Sequence, residues 1–369
     1  AKEGDTVTLS FGANEAIKKP TVVFKSGGND ITNAVSVENS DNDNTNKNWT
    51  ASYTVHENDS DGDVEFTITF EDFAGNSKEI STTVAATNGK KITVDTTAPS
   101  FEEITTDETA ATYKIGDSIT IKATWSENVV VDSNNKPTLT LNNLGTANYS
   151  SGSGSATLVF TYTILESDRD AEPLSVRKYN NTITDIAGNT AAAATGDVTG
   201  INVDATKPAL SDITIVSNNT ANNTSLAKEG DTVTLSFTAS EAIQEPTVAF
   251  KSNNVEITNN VTIGNTNDDK LNWTASYTVH EDDSDGAVSF TIDYVDSAGN
   301  SGTQVTTHTS GNGVTIDKAA PTLSGITIAS NNTDNDSSLA KEGDTVTLSF
   351  KASEAIQEPT VAFKSNNVE

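Results

Sequence analysis

Acidic residues recur at fixed intervals along this sequence. A Gly-Asp pair is followed ten positions after its Asp by a Glu in four places, with the acidic residues at Asp5 and Glu15, Asp117 and Glu127, Asp231 and Glu241, and Asp344 and Glu354. Carboxylates can hold hard cations such as Ca²⁺, which takes about six to eight oxygen ligands. They can also work in pairs as general acids and bases. Which chemistry applies depends on which carboxylates meet in the folded chain.

Two further acidic motifs mark turns and junctions. Asp-x-Ala-Gly-Asn occurs at Asp72–Asn76, Asp185–Asn189 and Asp296–Asn300. Asp-x-x-x-Pro begins at Asp95, Asp204 and Asp317, each time after a short β-like run. Since proline ends a strand, these last three positions predict junctions between structural units.

A third spacing, Glu-x-Asp-x-Asp, is present in three copies. Its residues are Glu57, Asp59 and Asp61, then Glu166, Asp168 and Asp170, then Glu281, Asp283 and Asp285. The spacing is kept even where the flanking residues differ, which favours a role for the carboxylates themselves.

Catalysis finds little support in the sequence. The three histidines are His56, His280 and His308, and the position equivalent to His56 and His280 in the second copy is Leu165. The chain has no cysteine, and no nucleophile-elbow or phosphate-binding motif is present. A carboxylic acid of raised pKa needs an apolar pocket, which this composition offers rarely. We therefore expect no catalytic and no cofactor-binding residues, and a protein that is not an enzyme.

The charge excludes several classes of partner. The formal net charge is -30, from 22 Lys and Arg against 52 Asp and Glu. Nucleic acid and anionic membrane surfaces would repel such a chain. No apolar run approaches the roughly 18 residues of a membrane helix, so no membrane insertion is expected in this segment.

The apolar residues alternate with polar ones, which predicts β-strands. Val7, Leu9 and Phe11 alternate with Thr and Ser, and Phe290 and Ile292 do the same. A period of two is typical of a strand with one buried face. In the third copy, we expect strands at Leu210–Val216 (A), Thr232–Phe237 (B), Thr247–Lys251 (C), Ile257–Ile263 (a short strand), Asn272–Val279 (E), Ala287–Tyr294 (F) and Gly313–Ile316 (G). Seven short strands in about 100 residues is the size of an immunoglobulin-like sandwich.

The motifs repeat with a period of about 113 residues, which is typical of a tandem array. The predicted units are 1–95 (lacking its first strand), 96–204 (divergent), 205–317 and 318–369 (the start of a truncated unit). Residues 340–369 repeat residues 227–256 with one difference, Thr238 against Lys351. The fold class predicted is all-β, with tandem immunoglobulin-like β-sandwiches of about seven strands arranged as an extended rod. Both ends fall within a unit, so we expect a longer array.

Strand order in such a sandwich brings the carboxylates to its two ends. The B–C loop, the F–G turn and the incoming linker share one end, which gives three candidate metal sets: Asp95, Glu127 and Asp185; Asp204, Glu241 and Asp296; and Asp317 with Glu354. Glu15 and Asp72 are the equivalents in the first unit. The A–B and E–F loops of the preceding unit would add, with less support, Asp5, Asp117 and Asp231 together with the nine Glu-x-Asp-x-Asp residues. Three carboxylates at one junction repel unless a divalent cation neutralises them.

The alternative is that these residues only form turns. Asp and Asn favour turns because their side chains hydrogen-bond to nearby backbone. The Asp- and Asn-rich stretches at 39–46 and 331–337 are interpreted as solvated loops, because they lack the Gly and distal Glu of an EF-hand loop. In the second unit, the insertion Val131–Lys136 leaves the position of Glu127 open.

Several runs resemble one family. "GDTVTLSFTASEAI…PTV", "DSDGxVxFTI", "D-x-A-G-N" and "VDTTAP" are similar to the bacterial immunoglobulin-like repeats of large RTX-type and biofilm-associated surface adhesins. The resemblance covers essentially the whole chain. It implies an extracellular stalk on a bacterial surface, with calcium at the domain junctions.

The preferred hypothesis is a calcium-stiffened stalk that contacts mainly the neighbouring repeats of its own chain and carries a distal ligand-binding domain. Two alternatives stay open. The repeats could associate laterally with copies of the chain, or bind glycan or receptor directly, in a fibre, sheath or biofilm matrix. They could also be spacers of a secreted enzyme.

Overall fold

The structure is a computed structural model that describes residues 1–40, 45–81, 89, 91–219, 223–258, 260–332 and 336–365. Within these ranges the chain is all-β, which confirms the predicted fold class. No helix in them is long and apolar enough to cross a membrane. Of the two stretches interpreted as solvated loops, residues 41–44 and 333–335 lie outside the described residues.

Two compact units make up the chain. The first comprises Ala1–Lys207 with Ser297–Asn300, and the second comprises Pro208–Asp296 with Ser301–Glu369. The first unit contains two sandwiches, called I and II below. The second contains sandwich III and a further strand pair. The finer division at residues 95, 204 and 317 stays a prediction.

Sandwich I has two sheets. Its strands are β1 (Thr6–Gly12), β2 (Thr21–Ser26), β3 (Asn29–Asp30), β4 (Ser36–Asn39), β5 (Asn48–Thr54), β6 (Gly62–Glu71), β7 (Ser77–Ser81) and β8 (Thr93–Val94). One sheet has the order β1-β5-β4, and the other has β3-β2-β6-β7 with β8 also paired to β6.

Sandwich III shows the immunoglobulin-like topology most simply. Its strands are β19 (Leu210–Ser217), β20 (Leu226–Ala227), β21 (Thr232–Ala239), β22 (Thr247–Ser252), β23 (Val255–Glu256), β24 (Thr262–Asn265), β25 (Asn272–Thr278), β26 (Gly286–Asp293) and β27 (Thr315–Ile316). The sheets have the orders β19-β21-β25-β24 and β20-β27-β26-β22-β23. With β19, β21, β24 and β25 as A, B, D and E, these are the two sheets of an immunoglobulin-like sandwich. The strand pair that follows is β28 (Leu323–Ser330) with β29 (Val346–Ala352).

Sandwich II departs from this pattern. Its strands are β9 (Phe101–Thr105), β10 (Ala111–Lys114), β11 (Ser118–Val131), β12 (Thr138–Leu141), β13 (Thr146–Ser151), β14 (Ser155–Thr163), β15 (Ser175–Asn180), β16 (Ile183–Thr184), β17 (Gly196–Asp197) and β18 (Ile201–Asp204). Because β12 pairs with both β13 and β15, eight of these strands form one continuous sheet. The small pair β10–β18 is separate.

Alternation along each strand places the cores between the sheets. In β21, Val233, Leu235 and Phe237 are buried, while the intervening Thr and Ser side chains are partly exposed. Phe250 packs against Tyr277 with ring centroids 4.8 Å apart. Each fully buried side chain of this kind stabilises the fold by about 1.5–3 kcal/mol.

Each sandwich has one tryptophan. Trp49 and Trp273 lie near the start of β5 and β25, and both are buried, with their indole N–H groups donating to the carbonyls of Asn46 and Lys270. Trp125 lies on β11 instead and donates to the carbonyl of Ala192. The three tryptophans therefore report on three separate cores.

Candidate metal centre

Three carboxylates converge at the end of sandwich II that meets the incoming linker. Asp95 directly follows β8, Glu127 lies within β11, and Asp185 follows β16. Each offers an oxygen atom, and these oxygens all lie within 4.8 Å of one another. Asp185 is buried, whereas Asp95 and Glu127 are half-buried.

A bulge in β11 positions Glu127. The pairing of β11 with β14 is regular up to Thr124 and resumes at Val129 after a register shift. A bulge frees its extra residues from the ladder and re-aims their side chains. The insertion after Val131 does not displace Glu127 from the other two carboxylates, because it falls in the turn that follows β11.

The Asp185–Asn189 turn fixes the buried carboxylate. The backbone N–H groups of Gly188 and Asn189 donate to Asp185 Oδ1 at 2.6 and 2.9 Å. Asn189 Nδ2 donates to Asp185 Oδ2 at 2.8 Å. Gly188 has φ +98°, a backbone conformation that residues other than glycine rarely adopt. The turn interpretation of this motif and its role in the carboxylate cluster are thus compatible.

Asn189 also ties this turn to the linker, a role that the sequence reasoning missed. Its Nδ2 donates to the backbone carbonyl of Asp95 at 2.8 Å. The same amide therefore joins two of the three acidic residues. The presence of Asn at the last position of all three Asp-x-Ala-Gly-Asn copies was the signal available in the sequence.

Two carboxyl groups of the cluster, those of Asp95 and Glu127, have raised pKa values. Burial raises the pKa of Asp95, and Asp185 and Asp61 raise it further, while a hydrogen bond from Thr97 and the N-terminal ammonium act in the opposite direction. Burial also raises the pKa of Glu127, followed by the charges of Asp95, Asp185 and Asp61. Among the described residues, none of the lysine–carboxylate pairs involves Asp95, Glu127 or Asp185. Positive charge does lie nearby, because the Lys2 side chain passes Gly188 of the turn and the N-terminal ammonium lowers the pKa of Asp95.

This donor set fits a hard cation. All three side chains present oxygen, and six carboxylate oxygens are within the ligand number of Ca²⁺. Both carboxylate oxygens of Asp185 already accept hydrogen bonds, which orient the group. Carboxylates that bind metals are commonly held by hydrogen bonds in this way. The chain offers no thiolate at all, so metals that prefer sulfur are disfavoured.

Asp61 holds the linker from the side of sandwich I. Its Oδ1 accepts the backbone N–H of Thr96 at 2.6 Å, and its Oδ2 accepts the hydroxyl of Thr97 at 2.5 Å. Burial alone would raise the pKa of Asp61, but these hydrogen bonds outweigh it and lower the pKa. The last Asp of each Glu-x-Asp-x-Asp copy repeats this contact, since Asp170 accepts from Ala205 N at 2.7 Å and Asp285 from Lys318 N at 3.2 Å.

The middle Asp of the same motif closes a local turn. Asp59, Asp168 and Asp283 accept the backbone N–H three residues upstream, at 2.9, 2.9 and 2.8 Å. The first residue of the motif has no shared contact. Glu57 is exposed, Glu166 forms an ion pair with Lys207 at 2.8 Å, and the carbonyl of Glu281 accepts from Lys318 Nζ.

The Asp of each Gly-Asp pair likewise closes its own turn. Asp5, Asp117 and Asp231 accept the backbone N–H of Lys2, Lys114 and Lys228 at 2.9, 3.0 and 2.9 Å. These short-range bonds account for the motif without a cation. Metal binding by these residues stays a prediction.

The remaining candidates are placed as follows. Glu15 and Asp72 are not part of a three-carboxylate group among the described residues, and the same holds for Asp317 and Glu354. In the second compact unit, oxygens of Glu241 and Asp296 lie within 4.8 Å of each other, and Asp296 is buried. Asp204 belongs to the first unit, where its Oδ1 accepts Thr206 N at 3.2 Å.

Comparison with known proteins gives a fold likeness and no family. No family model matches the sequence, and no curated protein matches it. Among solved structures, the mouse nectin-like molecule 4 ectodomain is 11% identical, with 86% of this chain and 97% of that chain covered and a TM-score of 0.25. The titin Ig tandem A164–A165 is 13% identical, with 60% and 98% covered and a TM-score of 0.19. Bovine butyrophilin is 10% identical, with 56% and 98% covered and a TM-score of 0.21.

Such low identities and TM-scores carry no argument about function. The class is defined by the strand order and by the repeated sandwiches: this is a chain of tandem immunoglobulin-like domains. A tandem array of this class suggests a structural or extender role.

Proposed function

We propose that the chain is an extender segment of a bacterial cell-surface adhesin, without catalytic activity, and that calcium at the linker stiffens it. The observation that carries the proposal is the convergence of Asp95, Glu127 and Asp185 within 4.8 Å where the linker enters sandwich II. Sequence resemblance to adhesin repeats supports the location on the cell surface. The acidic composition supports it as well, since a net charge of -30 keeps a protein soluble on a crowded surface.

The linker explains how a cation would act mechanically. Asp95 belongs to the linker, whereas Glu127 and Asp185 belong to sandwich II. Asp61 of sandwich I holds the next two linker residues by hydrogen bonds. A cation on the three carboxylates would join the linker to sandwich II while Asp61 joins it to sandwich I. Bending at the linker would then have to break metal–oxygen bonds.

Without a cation, the same residues oppose each other. The raised pKa values of Asp95 and Glu127 mean that ionising them is less favourable in the folded chain than in isolated carboxyl groups, because of burial and of the neighbouring charges. Asn189 joins this part of the linker to sandwich II through neutral hydrogen bonds to the carbonyls of Asp95 and Thr97, and such bonds contribute only about 0.5–1.5 kcal/mol each. We therefore expect the linker to loosen when calcium is removed.

The same sequence pattern occurs in two further places, at Asp204, Glu241 and Asp296 and at Asp317 with Glu354. Calcium at these positions stays a prediction from the repeat. That the partners of this segment are neighbouring repeats of a longer chain also stays a prediction.

The experiment is calcium titration by calorimetry of the 369-residue chain, with melting followed separately in each sandwich. Variants that keep only Trp125, with Trp49 and Trp273 replaced by Phe, report on sandwich II. We expect saturable calcium binding and a higher Tm for the Trp125 signal in calcium than in EDTA. At calcium 100-fold above its Kd, the stabilisation is about 2.7 kcal/mol.

The matched control uses Glu15→Gln, the equivalent substitution in sandwich I. Glu127→Gln should weaken calcium binding and abolish most of the Tm shift, whereas Glu15→Gln should leave both unchanged. An absence of calcium binding by the unmodified chain would show that the three carboxylates do not form a calcium site.

A further inference from the structure

An open groove crosses the outer face of the sheet β19-β21-β25-β24 in sandwich III. The central strands β21 and β25 form its floor, and the bulge of β19 and the loop after β24 form its walls. The volume of about 460 Å³ lies within the range of about 300–1,000 Å³ that is typical of ligand sites. The polar residues that line it include Asp212, Ser236, Thr238, Thr266, Asn272 and Thr274.

A missing side chain keeps the floor of this groove open. Gly264 of β24 lies opposite Thr274 of β25, and its φ is not in the left-handed region that favours glycine. The backbone conformation therefore does not require a glycine here. A Cβ atom at this position would lie 3.0 Å from Thr274 Oγ1. In sandwich I, the equivalent position of β4 is Glu38, which lies opposite Thr50. The glycine thus leaves space at a position where sandwich I has a long acidic side chain.

One wall of the groove carries a carboxylate that the backbone does not favour. Asp212 lies in the bulge of β19 and has φ +52°. Residues other than glycine seldom adopt this left-handed conformation, whereas glycine adopts it freely. The equivalent residue of β28 is indeed a glycine, Gly325, with φ +60°. The bulge can therefore form without an aspartate, and the carboxylate is a feature particular to the wall of this groove.

Several polar groups of the groove are not used within the protein. The hydroxyl of Thr238 donates to Asn272 Oδ1 at 3.1 Å. In the described part of the chain, by contrast, the side-chain hydroxyls of Ser236 and Thr266 form no hydrogen bond, and Oδ1 of Asp212 accepts none. A hydroxyl both donates and accepts, and an ionised carboxylate only accepts. The groove thus offers acceptors and hydroxyl donors along a single concave surface.

We infer that this groove binds a neutral oligosaccharide. Sugar hydroxyls can donate to the carboxylate of Asp212 and can exchange hydrogen bonds with the hydroxyls of Ser236 and Thr266. An anionic ligand would be repelled by Asp212 and by the net charge of -30. An apolar ligand would leave these polar groups without partners, which costs free energy. A neutral ligand rich in hydroxyl groups meets all three conditions.

The site is separate from the carboxylate clusters. Its lining residues lie within Pro208–Asp296 of the second compact unit, and none of those named here is a candidate calcium ligand. Sugar binding goes beyond the proposed calcium function and should persist in EDTA. It would give this segment its own hold on a polysaccharide, independent of any distal ligand-binding domain.

Nuclear magnetic resonance of the tryptophan indole groups tests the proposal. The chain has three tryptophans, and Trp273 lines the groove. The ¹⁵N-labelled 369-residue chain is titrated in EDTA with cellohexaose, maltohexaose and mannohexaose, and Trp273→Phe assigns the signal. We expect at least one of these neutral sugars to shift the Trp273 indole signal saturably and to leave those of Trp49 and Trp125 unchanged. A hexamer of galacturonic acid should shift none of them. If no neutral sugar shifts the Trp273 signal, or if the uronate shifts it equally, the proposal is wrong.

Two substitutions taken from the chain itself test the geometry. Gly264→Glu introduces the residue that sandwich I tolerates at Glu38 and should weaken sugar binding by about tenfold, because it obstructs the groove. Thr262→Glu adds the same charge on the same strand, one residue pair away from the floor, and should retain binding. Asp212→Gly introduces the residue found in β28 and should weaken binding several-fold without lowering the Tm. Equal affinities of the Gly264→Glu and Thr262→Glu variants would contradict the assignment, because the groove would then not be the binding site.

Discussion

The B–C and F–G regions of sandwiches I and II carry the same motifs but differ in their electrostatics. In sandwich I, Glu15 is exposed and Asp72 is half-buried, and hydrogen bonds from the Asn76 side chain and backbone lower the pKa of Asp72. In sandwich II, Asp185 is buried, and the pKa values of Asp95 and Glu127 are raised. In sandwich II, the linker carboxylate of Asp95 lies close to Glu127 and Asp185 at this end. The turn motif around Asp185 is therefore part of a three-carboxylate cluster, whereas among the described residues the one around Asp72 is not.

The largest expected difference between the two ends comes from removing the turn aspartate. Asp185→Ala leaves two backbone N–H groups and the Asn189 amide without their acceptor at a buried site. We expect a loss of about 3 kcal/mol from sandwich II, since hydrogen bonds to a charged group contribute about 1.5–3 kcal/mol each and part of the loss is regained by water. Melting followed by Trp125 fluorescence measures it. Asp72→Ala, followed by Trp49, should cost clearly less because water can replace the lost acceptor. Equal losses would contradict the distinction.

An intermediate effect is expected from the asparagine that ends the turn. Asn189 bonds both to Asp185 and to the linker carbonyl of Asp95, whereas Asn76 donates its amide to Asp72 at 2.7 Å. We expect Asn189→Ala to destabilise sandwich II by about 1–2 kcal/mol and Asn76→Ala to have a smaller effect on sandwich I. Small-angle scattering in EDTA should show greater flexibility for Asn189→Ala alone. If neither variant changes the scattering, Asn189 does not hold the linker.

The smallest effect concerns pH, and its sign differs between the two ends. A raised carboxyl pKa contributes stability at pH below its ordinary value near 4, and this contribution is lost as the pH rises through the folded-state value. A lowered pKa contributes stability at neutral pH that is lost as the pH falls through the folded-state value. In EDTA, we therefore expect Glu127→Gln to raise the Tm of sandwich II at pH 7 and to have little effect below pH 4. Asp72→Asn should lower the Tm of sandwich I at pH 7 and have little effect in acid. Melting curves between these pH values test both signs.

Much of the fold follows from the sequence. Alternation in Thr232–Phe237 and Asn272–Val279 predicted β21 and β25 to within two residues at their ends. The single sheet of sandwich II could not be predicted in this way, because it depends on pairing of β12 with both neighbours. The β12–β13 pairing uses the tight turn at residues 142–145, where Leu144 has φ +70°. Leucine rarely adopts this conformation, so the sequence does not predict the turn.

The candidate site was predictable in part. Topology alone predicted that Asp95, Glu127 and Asp185 would approach one another, because the linker, the B–C region and the F–G turn share one end. Sequence could not separate the roles of Asp59 and Asp61, since one closes a local turn and the other holds the linker. That difference depends on the path of residues 96 and 97 past the loop. Whether calcium binds stays a prediction.

The most direct test of the calcium proposal is the sign of one substitution under two conditions. The Glu127→Gln variant is compared with the unmodified chain at pH 7, both in EDTA and in excess calcium. Trp125 fluorescence reports the Tm of sandwich II. The account predicts a higher Tm for the variant in EDTA, because a repelling charge is removed. It predicts a lower Tm for the variant in calcium, because a ligand is lost. The same sign in both conditions, with no calcium-dependent change in the unmodified chain, would contradict the account.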